Sequence, residues 1–114
     1  MPSEPDLLQG TLDVLVLKAL TWGPRHGHAV ARLIRTASGG AFDVLDGSLY
    51  AALHRLEERQ CVESEWGLSE KGKRARFYTL TPRGRQQLRA ESVSWRRYAD
   101  AVALMLAATT QPEG

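Results

Sequence analysis

The sequence predicts a mainly α-helical fold with one small β-hairpin and a long C-terminal helix. Three observations carry that expectation. Apolar residues recur at three- and four-residue spacing through 7–21, 26–38 and 46–60, the pattern of helices that bury one face. Two strand-like runs, one ending near Trp66 and one starting near Arg74, flank GLSEKGK, where Gly67 and Gly72 are natural turn residues. From Pro82 to about Ala108 nothing interrupts a helix. Its length would be roughly 40 Å at 1.5 Å per residue, which overhangs a domain this small.

Each element has a local reason. Residues 1–6, MPSEPD, form a polar lead expected to be flexible. The first helix should run from Leu7 to Thr21 with Leu8, Leu12, Leu15, Val16 and Leu20 inward, and Trp22 to Pro24 stops it because Pro cannot continue a helix. The second should start near His26 and bury Ala29, Val30, Leu33 and Ile34, until Gly39 and Gly40 break it. Asp46 is the expected N-cap of the third, since its carboxylate can accept from a free amide of the first turn. Leu49, Leu53 and Leu56 give that helix its apolar stripe. Trp66 shares a strand face with Val62 and is expected in the core. Thr81 reads as the N-cap of the last helix with Pro82 at its first position, a favoured pairing. The division expected is therefore a lead (1–6), a compact domain (7–80), a long helix (81–108) and a flexible tail (109–114).

Helix, hairpin and helix in this order form a winged helix-turn-helix, a DNA-binding unit. The third helix carries Ser48, Tyr50, Ala51, His54 and Arg55 opposite its apolar stripe, small residues for close approach and donors for bases and phosphates. An ordinary surface helix would show the same amphipathicity, so the hairpin decides. From Lys71 to Arg89 there are seven basic residues and no acidic one, in a chain whose net charge is only +2. Lys71, Lys73, Arg74 and Arg76 are the expected phosphate or minor-groove contacts, because neutralising phosphates releases counterions.

Five stretches in order, GTLDVLVLKAL, HGHAV, GSLYAALHRLEE, VESEW and RARFYTLTPRGRQQL, resemble the PadR family of bacterial transcriptional regulators, in particular its short single-domain members. They cover nearly all of the chain outside its tails. The chain departs from the family pattern at His28, where an aromatic residue is frequent, and at Gln60, where Gly commonly ends the helix in a left-handed cap. Gln60 therefore points to a strained or differently closed helix end. The resemblance implies a homodimeric repressor that binds a partly palindromic double-stranded DNA operator and is released by a small molecule or stress signal. It also implies a dimer interface built jointly by the first and last helices, with Leu8 and Leu12 on the first. On the last, Leu88, Trp95 and Val102 fall seven apart with Tyr98 and Met105 interleaved, a heptad-like seam that seeks a partner helix. Trp95 is also the candidate lining of an effector pocket, though packing at the seam is the favoured reading.

Other classes find little support. No nucleophile elbow, phosphate-cradling glycine loop or paired carboxylates argue for an enzyme, and no cofactor is expected. His26 and His28 diverge at a helix start, so no metal site is expected, and capping or packing is the role assigned to His26. The single Cys61 is expected to be a small residue at a helix-to-strand junction. With no apolar run of membrane-spanning length and no leader pattern, a cytoplasmic protein is expected. The competing functions are a winged-helix protein-interaction module and a metal-sensing repressor.

Overall fold

The computed structural model describes residues 9–113. Its elements are α1 (Gln9–Ala19), a 3-10 turn (Leu20–Trp22), β1 (Arg25–His26), α2 (Gly27–Ala37), α3 (Asp46–Glu58), β2 (Val62–Leu68), β3 (Arg74–Leu80) and α4 (Pro82–Ala107). The expected mainly helical fold with a β-hairpin is present. The expected flexible lead and Leu8 lie outside the described residues.

α1 is the central post. Leu12, Val14, Val16, Leu17, Ala19 and Leu20 are all buried, on most sides of the helix, because α2, α3 and α4 all touch it. A helix apolar all round is one that is enclosed. Val30 and Ile34 of α2 and Leu49, Ala52, Leu53 and Leu56 of α3 complete the core, with Val62, Tyr78 and Leu80 from the strands. Leu12 is thus already spent inside the protomer, which corrects its expected place in a dimer interface.

The sheet has three strands in the order β1-β3-β2, all antiparallel. The two-residue β1 went unexpected. It is too short to show any periodicity, and only its pairing of Arg25 with Tyr78 and His26 with Phe77 reveals it. The β2–β3 register runs from Val62 opposite Leu80 to Leu68 opposite Arg74.

Of the two ends of α3, the first departs from expectation and the second shows the strain expected of Gln60. At the start of α3 the N-cap position is Leu45, without a side-chain cap, and Asp46 is the first helical residue. Its carboxylate acts there on the positive end of the helix dipole and not as a cap. At the other end the Cys61 amide donates to the Leu56 carbonyl (2.8 Å) and the Gln60 amide to that of Glu57 (3.0 Å). That is the closure a left-handed glycine normally makes. Gln60 adopts it with φ +64°, at a cost that glycine would avoid.

α4 is docked where this turn ends. The Thr81 hydroxyl donates to the Gln60 carbonyl (2.7 Å) and accepts from the Gly84 amide (3.0 Å), the expected N-cap. The Thr81 amide donates to the Cys61 carbonyl (3.1 Å). Gly84 is buried so tightly on this turn that a Cβ would overlap the Cys61 carbonyl oxygen and stand 2.7 Å from Leu80 Cδ1. Beyond its first turns α4 leaves the domain, which stretches the molecule to 60 × 30 × 21 Å.

Two substitutions should move stability in opposite directions. Gln60→Gly should raise it by about 0.5–1 kcal/mol, the relief of left-handed strain less the entropy lost by glycine. Gly84→Ala should lower it by about 1–3 kcal/mol through overpacking. Denaturant midpoints read both.

Candidate nucleic-acid interface

The base of the hairpin is locked to the last turn of α3. The Ser64 hydroxyl donates to Glu57 Oε2 (2.6 Å) and accepts from Arg76 Nε (2.9 Å). Arg76 Nη2 lies 3.5 Å from the same carboxylate oxygen. Arg76, expected to contact DNA, is therefore largely engaged in bracing the hairpin against the helix.

Away from the core, α3 presents Ser48, Tyr50, Ala51 and His54 together on an exposed face. His54 Nε2 is 3.4 Å from Glu58 Oε2 one turn on, an exposed pair of little energetic weight. Tyr50 leans toward α2, where its hydroxyl packs over Gly27 so closely that a Cβ there would come within 2.5 Å. Arg55 departs from expectation. Its Nη2 donates to Asp13 Oδ1 at 2.7 Å, and Asp13 is only 2% exposed. Arg55 turns into the protein toward α1 and is not part of the exposed face. Asp13 itself was not singled out, although an acid within an otherwise apolar helix is the signal that a buried partner must exist.

The hairpin tip carries Lys71, Lys73 and Arg74, all exposed. Its turn is held by the Ser69 amide on the Lys73 carbonyl (2.8 Å) and the Gly72 amide on the Ser69 carbonyl (2.8 Å), with Gly72 at φ +74°. Trp66, expected in the core, is 56% exposed. Only the Val62 end of that strand face lies over the core; the strand then runs out past α3, and Trp66 stands on the part that projects. The guanidinium carbons of Arg74 and Arg76 sit 4.6 and 5.9 Å from its ring centroid, within cation–π range.

His26 has the expected capping place, with Nδ1 accepting from the Ala29 amide (3.3 Å) and the ring edge-on to Phe77 at 5.4 Å. Cys61 is buried, and burial pushes its thiol pKa up, against the pull of Arg83 and Arg59. That favours the protonated, unreactive form. Among the described residues no three His, Cys, Asp or Glu side chains gather closely enough to hold a metal ion. Nor is any described helix long and apolar enough to cross a membrane.

The heptad-like seam of α4 divides in two. Leu88 packs on the chain's own core. Trp95 and Tyr98 stack on each other at 5.6 Å but remain 46% and 57% exposed, and Val102 and Met105 are exposed beyond them. A hollow of about 330 Å³ lies beside the Trp95–Tyr98 pair, closed on the other side by Gly10, Thr11 and Val14 of α1.

The model of the transcriptional regulator PadR-like family matches residues 16–90. Among solved structures, a transcriptional regulator from Clostridium thermocellum is similar at 26% identity and a TM-score of 0.77, over 86% of this chain and 95% of that one. A PadR family transcriptional regulator from Eggerthella lenta is similar at 28% identity and a TM-score of 0.72, over 89% of this chain and 86% of its own. An uncharacterised 37.1 kDa protein of a Streptomyces fradiae transposon is 45% identical over 78% of this chain, which spans 24% of that protein's length.

The Asp13–Arg55 pair yields a stability prediction. Asp13→Ala leaves a guanidinium without its partner in the interior and should cost about 3 kcal/mol, whereas Asp13→Leu with Arg55→Met should recover most of it. Thermal or urea unfolding of the single and double variants measures this.

Proposed function

From the premise that the chain belongs to the PadR-like family of transcriptional regulators, which are not enzymes, we propose that it is a homodimeric, sequence-specific DNA-binding repressor. The observation that carries this reading is one of placement. A helix face of small and hydrogen-bonding residues lies open beside a hairpin tip whose Lys71, Lys73 and Arg74 pair with no carboxylate among the described residues. Ser48, Tyr50, Ala51 and His54 would meet base edges in the major groove, and Lys71, Lys73 and Arg74 the backbone or minor groove. Arg55 supports the helix from behind and Arg76 braces the hairpin.

The partner surface in this proposal is α4. Trp95, Tyr98, Val102 and Met105 form an apolar stripe, exposed among the described residues, on a helix of 26 residues. A second copy packed along it by two-fold symmetry gives an isologous interface. Two α3 helices would then reach successive major grooves about 34 Å apart. The hollow beside Trp95 offers a flat apolar effector a stacking surface at this seam, so that ligand and dimer geometry are linked. A dimer seated over a promoter represses by excluding polymerase.

Binding should be tested on DNA from upstream of the gene, with a random duplex as control and salt varied. Tight, salt-steep binding that favours the upstream duplex is the expected result. There Arg74→Ala should weaken binding to all sequences and flatten the salt slope by about one unit, while His54→Ala should change preference between sites. Equal weak binding to both duplexes, unaffected by either substitution, would contradict the reading. Val102→Glu should give a folded monomer by mass measurement and weaken specific binding. A Val102→Glu protein that stays dimeric would place the interface elsewhere.

A further inference from the structure

Between the first turns of α2 and the hairpin tip the fold leaves a pocket of about 320 Å³. Arg32 of α2 and Lys71, Lys73 and Arg74 of the hairpin bring four positive charges to its lining, against the single carboxylate of Glu70. That local excess of three is larger than the +2 net charge of the whole chain. Glu70 is itself shared: its Oε1 lies 3.5 Å from Arg32 Nη2 and 3.9 Å from His26 Nε2. Among the described residues no carboxylate pairs with Lys71, Lys73 or Arg74. Concentrated charge of one sign in a concavity raises the local potential for the opposite ion. Tyr50 of the exposed face of α3 packs on Gly27, between the pocket-lining His26 and His28.

We propose that this pocket is a phosphate seat, that its occupant is a backbone phosphodiester of the bound DNA, and that Glu70 is an internal anion the phosphate must displace. The proposal rests on the DNA-binding reading above and extends it to α2, with Arg32 as a further phosphate ligand. Glu70 then has a definite role. In the free protein it holds Arg32 and ties the hairpin tip to α2 through a weak, exposed contact. On DNA Glu70 is exchanged, as the partner of Arg32, for the two non-bridging oxygens of a phosphate, which a guanidinium can meet with two parallel hydrogen bonds. The exchange lowers affinity for every duplex alike and leaves discrimination to the contacts that read bases.

Salt-titrated binding of the full chain to one duplex tests this. Arg32→Ala should weaken binding and flatten the salt slope by about one unit, as loss of one phosphate contact requires. Glu70→Gln should tighten binding by about two- to fivefold, the range released by freeing an exposed ion pair. Glu63→Gln, the same change of charge at the far, exposed end of β2, should tighten it less. In a parallel arm inorganic phosphate replaces chloride at equal ionic strength. If Arg32→Ala removes a phosphate-specific inhibition yet leaves DNA affinity and slope unchanged, the seat belongs to a free anion and the assignment to DNA is overturned. Glu70→Gln binding no tighter than Glu63→Gln also overturns it. Either result leaves DNA binding by α3 and the hairpin standing; only a wild-type protein that ignores DNA removes that reading as well.

Discussion

The orientation of the long helix depends on a few ångströms at the turn between α3 and β2. There the left-handed Gln60 sends the chain back on itself, and the Gln60 and Cys61 carbonyls receive the side chain and amide of Thr81. Gly84 lies against the Cys61 carbonyl with no room for a Cβ. This backbone-to-backbone contact sets the angle between α3 and α4 at its base. Since α4 carries the exposed apolar stripe and α3 the exposed polar face, the same angle would set the separation of two α3 helices in a dimer. A side-chain contact could repack around a small change; a glycine pressed on a carbonyl cannot, because interiors packed this closely transmit strain.

The arginines show how one residue type is divided among tasks. Arg55 is turned to the buried Asp13 and couples α3 to the central α1. Arg76 braces the hairpin through Ser64 and Glu57 and leans on Trp66. Arg74, also over Trp66, and Arg32 remain on the surface beside the α2–hairpin pocket. Cation–π contact limits the rotamers of a long side chain, so less freedom is lost when it meets a phosphate. Charge committed inward thus fixes the platform, and charge left outward is what a polyanion would find.

The sequence announced those features that follow from periodicity and cap chemistry. The Leu49, Leu53 and Leu56 stripe, the hairpin around Gly72, the Thr81–Pro82 helix start and the capping His26 are all where local rules put them. What escaped depends on contacts far apart in the chain. β1 exists only because β3 lies beside it. Arg55 looks exposed by helical spacing and is withdrawn by an acid 42 residues earlier. Trp66 alternates correctly with Val62, yet period alone does not tell where the core stops under a strand. Leu12 fits an interface stripe as well as a core, and burial within the protomer decides for the core.

In the proposed dimer, two α3 helices held apart by paired α4 helices would meet two successive major grooves. Hydroxyl-radical footprinting of the protein on a duplex selected from genomic DNA tests it most directly. Two protected clusters related by a dyad are expected, with centres about one helical turn, or 34 Å, apart. A single protected patch, or even protection without any fixed spacing, would contradict it.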